Sequence, residues 1–368
     1  MKVVGILLAL FAFIFAREIK VGVLLPFSGV FSDFGNQIKR GLNVIYIHHQ
    51  FLPNGDRVKI IFMDNSSDKT QTILGYKRLV NEGVVAVVGP FSSSNSISVK
   101  REVNKDRVAI VLPVATSPKV TKGSDYVTRV CYTDLAQGKV LAKYALNHNW
   151  KKVFMVVDIK QQYSVGLSQA FNKYYHKKGL YPKSGTIYTN MKNFNPLISR
   201  IPKDVDVVFL PLYANEIGLF LKEFRSQGFK SNVLAGDGVI VKVVKNLAKE
   251  KANGLTFTTH FDVRKPLTNK AKIFIEKYKE MYNEMPSAFS ALGVDAYLII
   301  YEALKKCDTS KNISYLRECV SENIRNTINL EGVTGKITIN STTGNPINKP
   351  IIFEEIDNKG SKVIGVER

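Results

Sequence analysis

The 368-residue chain has few cysteines, no internal repeat and no low-complexity tract. Three cysteines cannot build a disulfide framework or a zinc site of four cysteines. Glycine (25) and proline (13) are near their usual frequencies, which excludes collagen-like and linker-rich chains. The 45% hydrophobic and 23% charged residues are typical of a folded globular protein, and the length predicts two lobes.

The sequence also lacks the common motifs of enzymes. No Gly-x-Gly-x-x-Gly follows the first predicted strand, and no Walker-type phosphate loop, His-Glu-x-x-His or Gly-x-Ser-x-Gly is present. The histidines have no evident carboxylate or cysteine partner, so we expect them on surfaces or at element ends: His48, His49, His148, His176 and His260. We therefore predict that the protein is not an enzyme and needs no cofactor or metal.

Acidic residues are scarce relative to basic ones. The chain has 52 Lys and Arg against 31 Asp and Glu, a net charge of +21. The basic residues are scattered, and the densest runs are pairs such as Lys151-Lys152, with no interleaved aromatic residues. We therefore expect a solvated basic surface and no nucleic-acid partner.

The amino terminus has a basic residue followed by a short apolar run. Lys2 precedes an apolar segment that ends at Ala16 and is shorter than a membrane span. This pattern predicts a signal peptide over residues 1–16 and export; the alternative is an uncleaved membrane anchor. Export permits disulfides, so we predict a Cys307–Cys319 bridge between two helical patterns and a buried, free Cys131.

The mature chain alternates strand and helix patterns in two arrays. The first runs from a strand at 19–25, through a helix at 34–51, to a strand at 108–112; the second runs from 153–157 to 255–258. Runs that are apolar throughout favour parallel sheets covered on both faces. The sequence therefore predicts an α/β fold with two doubly wound parallel-sheet lobes, with ligands bound beyond the carboxyl ends of the strands.

Small polar residues occupy the loops at these strand ends. Hydroxyl residues occur in 91–94 and 114–117, where a helix start favours a small anion such as a carboxylate. In the second array Asp237 lies between two glycines, where a carboxylate can approach an ammonium. Each feature alone is more typical of a helix cap or a turn than of a binding site.

Taken together, the loops resemble a known family. Pro26-Phe27-Ser28-Gly29, Gly89-Pro90-Phe91-Ser92-Ser93, Pro113-Val114-Ala115-Thr116, Asp158 to Tyr163 and Gly236-Asp237-Gly238 are similar to the leucine/isoleucine/valine-binding proteins of ABC importers. The resemblance implies a type I periplasmic-binding fold with three hinge crossings. It further implies a first lobe of 17–134 and 261–345 and a second lobe of 135–260 and 346–368.

The resemblance also implies the ligand-binding residues. Ser93 and Thr116 would hold the ligand carboxylate, and Asp237 would neutralise its ammonium. The remaining positions would offer backbone groups, second-lobe aromatic rings or side-chain pocket walls, and they are Ala115, Tyr163, Tyr213, Phe34, Phe91 and Phe289. Two features depart from the leucine-binding branch: Asp237 is one methylene shorter than the usual glutamate, and Ser67 and Ser92 replace a disulfide pair.

These features predict an exported solute-binding protein that captures a free amino acid with an apolar side chain. Hinge closure around the ligand would stabilise the closed form, and the expected partner is the membrane permease of an ABC transporter. We expect a monomer. The alternatives are a binder of a small amide or organic acid, which would leave Asp237 unpaired, and the ligand-binding half of a sensor, for which the sequence shows no signalling domain.

Overall fold

The computed structural model describes residues 16–367. Of the predicted signal peptide, residues 1–15 lie outside the described residues. The described chain forms two open sheets with helices on their faces, and the α/β fold class is confirmed. No helix within 16–367 combines the length and apolar character needed to cross a bilayer.

The first sheet is wholly parallel. Its strand order is β2-β1-β3-β4-β5, and the strands are β1 Glu18–Leu25, β2 Arg57–Asp64, β3 Ala86–Val88, β4 Ala109–Leu112 and β5 Val127–Arg129. Successive side chains point to opposite faces, so Leu24 and Val87 enter one core while Val23, Leu25 and Val88 enter the other. Both faces are therefore buried, as the apolar runs predicted.

The second sheet combines parallel and antiparallel strands. Its order is β16-β15-β10-β9-β8-β6-β7, and the strands are β6 Val153–Asp158, β7 Lys183–Ile187, β8 Val207–Leu210, β9 Asn232–Ala235, β10 Leu255–Thr259, β15 Ile351–Asp357 and β16 Gly360–Glu367. The first five are parallel, whereas β15 pairs antiparallel with β10 and with β16. Two small antiparallel pairs complete the strands: β11 Leu330–Glu331 with β12 Lys336–Ile337, and β13 Ile339–Asn340 with β14 Asn345–Pro346.

Eleven α-helices lie within the described residues. They are α1 Ser32–Tyr46, α2 Lys69–Asn81, α3 Ser93–Asp106, α4 Asp134–Asn147, α5 Gln162–His176, α6 Asn195–Ile198, α7 Ala214–Ser226, α8 Val241–Ala248, α9 Asn269–Tyr282, α10 Ala288–Leu304 and α11 Ile313–Arg325. Helix α10 is almost entirely buried, and α1 approaches it closely at Gly41. A Cβ at Gly41 would lie 2.1 Å from the carbonyl oxygen of Ser290, so only glycine permits this approach.

Several elements differ from the sequence expectations. Helix α1 ends at Tyr46 rather than at Phe51, because Phe51 forms an antiparallel bridge with Arg57. Strands β5, β7 and β16 and helix α4 were not among the predicted elements.

The chain passes between the two sheets three times: after β5, after β10 and before β15. Away from these passages, Cys307 and Cys319 form a disulfide between α10 and α11 with a Cα–Cα distance of 6.0 Å. Cys131 is free and fully buried.

Candidate ligand-binding site

The start of helix α3 presents a hydroxyl toward the space between the lobes. Ser92 caps the helix by accepting a hydrogen bond from the Asn95 N–H, so Ser93 is the first helical residue. The Ser93 hydroxyl accepts a hydrogen bond from the Ser117 N–H at 3.1 Å. Its own hydrogen remains available, and the helix terminus adds partial positive charge. This geometry suits a bound carboxylate.

A buried arginine fixes the second hydroxyl loop. Arg129 is fully enclosed, and its guanidinium donates to the carbonyl oxygens of Ala115 and Ser117, each at 2.8 Å. These bonds hold Thr116, which is also buried, at the carboxyl end of β4. Sequence reasoning missed Arg129, because an arginine in a three-residue strand gives no local sign of burial.

The second lobe supplies the facing wall. Tyr163 is the second residue of α5, and its hydroxyl accepts a hydrogen bond from the Gly238 N–H at 3.2 Å. Asp237 follows β9 and is only 5% exposed. The adjacent Gly238 lets the loop approach closely, since a Cβ there would lie 2.3 Å from the carbonyl oxygen of Leu212.

The Asp237 carboxylate has two neighbours that the sequence did not reveal. The Gln137 amide donates to its Oδ1 at 2.9 Å, and His260 Nε2 lies 2.8 Å from its Oδ2. His260 does lie at an element end, directly after β10, but it is 1% exposed rather than on the surface. The expectation that it has no carboxylate partner is wrong, because it is bonded to Asp237. Nor does Asp237 stand alone between its glycines.

A second carboxylate, Asp134, is also buried near the site. It is the first residue of α4, and its backbone N–H donates to the Thr116 carbonyl at 2.9 Å. Burial, aided by the charge of Asp237, raises the pKa of Asp134 well above its usual range. Asp134 therefore ionises less readily than an ordinary aspartate.

Aromatic rings from both lobes form an apolar wall. The Phe34 ring stacks on Phe91, with centroids 4.7 Å apart, and meets Phe289 edge-on at 4.9 Å. From the second lobe, Tyr213 lies 4.7 Å from Phe31, between ring centroids. These residues are at most 8% exposed, so the wall can enclose an apolar group.

Six of the nine predicted ligand-binding residues line one small cavity between the lobes. They are Ser93, Thr116, Tyr163, Tyr213, Asp237 and Phe289, joined by Val114 and Gly238. The other three, Phe34, Phe91 and Ala115, are not among the residues that line it. The cavity measures about 10 Å³, which is roughly the space of one water molecule. A larger ligand therefore requires the lobes or the lining side chains to move.

Comparison with known proteins places the chain in a family. The model of the family described as "Periplasmic binding protein" matches residues 18–361. The chain belongs to this family. The periplasmic binding protein is similar to a leucine-binding protein, LivK, of Thermotoga maritima, with 30% identity and a TM-score of 0.89 over 95% of this chain and 98% of that one.

Two further relatives support the same placement. LivJ of Streptococcus pneumoniae, solved in complex with isoleucine, is 27% identical with a TM-score of 0.85 over 95% of this chain and 99% of that one. The Leu/Ile/Val-binding protein BraC3 of Rhizobium johnstonii is 27% identical over 330 residues, 88% of each chain. The family and fold are those of solute-binding proteins, which are not enzymes.

In this periplasmic binding protein the two lobes touch on both sides of the small cavity. On one side the Ser94 hydroxyl bonds Gln161 Oε1 at 3.2 Å and accepts from the Gln162 N–H at 3.0 Å. On the other side Glu284 accepts a hydrogen bond from Arg40 at 2.7 Å and lies 3.7 Å from the ammonium of Lys242 in α8. The structure is therefore a closed arrangement of the lobes.

A wider groove leads away from the cavity. Its volume is about 760 Å³, and it is lined by residues of α1, α8 and the segment 284–289. Phe289 lines both the groove and the small cavity.

Proposed function

We propose that the protein is an exported solute-binding protein that captures a free branched-chain or other apolar amino acid and delivers it to an ABC permease. The observation that carries this proposal is the pairing of two opposite chemistries across one cavity. Ser93 and Thr116, beside the start of α3, offer donors for a carboxylate, while Asp237 offers acceptors for an ammonium. The names of the relatives above agree with this ligand class.

The aromatic wall gives the reason for an apolar side chain. Phe34, Phe91 and Phe289 carry no polar atom on their rings, and Tyr213 contacts this cluster from the opposite lobe. Burying an aliphatic side chain against them gains roughly 1.5–3 kcal/mol. A polar side chain would instead lose its water hydrogen bonds without replacement.

Binding measurements can test the ligand class directly. Mass spectrometry of the small molecule released on denaturation identifies what the purified protein carries. Titration calorimetry then compares leucine, isoleucine and valine with 4-methylpentanoate, which lacks the ammonium, and with leucinamide, which lacks the carboxylate. We expect each truncated analogue to bind about 30-fold or more weakly than leucine. Equal affinity for 4-methylpentanoate would favour the organic-acid alternative.

We further propose that binding closes the lobes. In this proposal the lobes comprise 17–134 with 261–345 and 135–260 with 346–368, and the three passages between the sheets act as the hinge. The contacts of Ser94 and Glu284 across the cleft support this, because both must break on opening. Small-angle scattering should show a smaller radius of gyration with leucine than without it, and an unchanged radius would contradict hinge closure.

Export and assembly are the remaining parts of the proposal. Residues 1–16 would be removed, and the mature protein would act as a monomer beside its permease. Amino-terminal sequencing of native protein should begin near Arg17, and light scattering should give the mass of one chain. A native protein that begins at Met1 in a membrane fraction would contradict the cleavage.

A further inference from the structure

His260 has an unusual environment for a histidine, because its side chain is almost completely enclosed. It follows the last residue of β10, at the second passage between the sheets, and its side chain is 1% exposed. Its ring stacks on Tyr132 with centroids 3.7 Å apart. This stacking fixes the plane of the imidazole, and the ring then directs Nε2 at Asp237 Oδ2, 2.8 Å away.

The contact with Asp237 defines which ring nitrogen carries a hydrogen. A carboxylate only accepts hydrogen bonds, so Nε2 must carry the hydrogen. Burial lowers the pKa of His260, although Asp237 opposes this, so burial favours the neutral ring. The neutral ring orients the carboxylate and leaves its charge intact. A lysine or arginine in its place would cancel that charge.

Gln137 holds the other oxygen in the same way. Its amide nitrogen donates to Asp237 Oδ1 at 2.9 Å and to the Thr258 hydroxyl at 2.8 Å. Both carboxylate oxygens are thus fixed by neutral donors, one from helix α4 and one from the passage after β10. A carboxylate has about four acceptor positions, so some remain for the cavity that Asp237 lines with Ser93 and Thr116.

We infer that His260 is a positioning residue that fixes the Asp237 carboxylate for a ligand ammonium, and so determines the preference for ligands that carry one. The inference rests on the proposed function, in which Asp237 pairs with that ammonium. The short Asp237 side chain gives the reason for such a partner. A carboxylate on one methylene reaches less far than a glutamate, so its affinity for the ammonium depends on how firmly it is held.

Two substitutions distinguish a positioning role of His260 from a packing role. His260→Gln keeps an N–H donor, whereas His260→Leu keeps comparable bulk without one. Calorimetric Kd values are measured for leucine and for 2-hydroxy-4-methylpentanoate, in which a hydroxyl replaces the ammonium. We expect His260→Leu to weaken leucine binding about tenfold or more, which is the equivalent of losing a hydrogen bond to a charged group. The Kd for the hydroxy acid should change less than about threefold. His260→Gln should stay within about threefold of the unaltered protein for both ligands.

A double substitution tests whether His260 acts through Asp237. In the Asp237→Asn background, His260→Leu should weaken leucine binding by less than about threefold, because the charge that His260 positions is gone. Thermal unfolding without ligand establishes that each variant folds.

Three results would overturn the inference: an equal loss for both ligands, a His260→Gln variant as weak as His260→Leu, or additive effects in the double variant. Leucine binding unchanged by His260→Leu would refute the role of His260 and leave the proposed function standing. If the unaltered protein binds no amino acid, the proposed function and this inference fail together.

Discussion

Replacing Asp237 with alanine is the most direct perturbation of the proposed ligand contacts. The carboxylate is 5% exposed and lies in a cavity closed by both lobes. Removing one partner of such an enclosed charge pair costs about 2–5 kcal/mol, which is roughly a thirty- to several-thousand-fold loss of affinity. Asp237→Asn should lose less, because its amide oxygen still accepts a hydrogen bond.

The same substitution should also affect the stability of the unliganded protein. In Asp237→Ala, His260 Nε2 loses its acceptor inside a buried site, at a cost of about 1–3 kcal/mol. The Gln137 amide loses one acceptor and keeps the Thr258 hydroxyl, so its cost is smaller. Urea unfolding without ligand measures this effect separately from binding.

A matched control removes a different hydrogen-bonded carboxylate of the second lobe. Asp206 accepts from the backbone N–H groups of Lys151 and Lys152 at the opposite end of the sheet. Asp206→Ala should lower stability and leave the Kd for leucine unchanged. The reasoning is refuted if Asp237→Ala binds leucine as tightly as the unaltered protein does.

Three further predictions concern stability. Thiol titration of the denatured, unreduced protein should find one free thiol, and reducing the Cys307–Cys319 bridge should cost roughly 2–3 kcal/mol; three free thiols would contradict the bridge. Burial raises the pKa of Glu354 to about 7, so the folded state holds this proton more tightly than the unfolded state. Stability should therefore fall as the pH rises from about 4.5 to about 7, by up to about 3 kcal/mol from this group. Glu354→Gln should flatten the urea-unfolding profile over that range, and an unchanged slope would contradict this reasoning. Gly41→Ala should cost roughly 1–3 kcal/mol in urea unfolding, because its Cβ would force α1 away from α10; unaltered stability would show that the two helices can separate freely.

The sequence predicted the sheets well because burial on both faces leaves continuous apolar runs. The elements it missed lack that signal. Strand β5 has three residues and includes a buried arginine, and strand β7 reads Lys-Ser-Gly-Thr-Ile at a sheet edge. Helix α4 had a usable signal in Thr133, whose hydroxyl caps it by accepting from the Ala136 N–H, and which precedes a helical pattern.

The sequence predicted the loop residues of the site but missed the residues that hold them in place. Asp237 could be identified from its glycine neighbours and its place in the family pattern. Gln137 and His260 lie 100 and 23 residues away from Asp237 in the chain. Hydrogen bonds between distant elements leave no local pattern, so only the three-dimensional fold reveals that these two residues hold the carboxylate.

The pairing of β15 with β10 has a consequence for how the chain folds as it emerges. Strands β6 to β10 are complete by residue 259, yet the partner of β10 begins only at residue 351. Until then β10 presents unpaired N–H and C=O groups along an edge whose five residues are all buried in the finished protein. Such an edge is a template for pairing with another chain. The interval between formation of β10 and arrival of β15 is therefore a period in which this protein is exposed to aggregation, and a chaperone that covers the β10 edge would protect it.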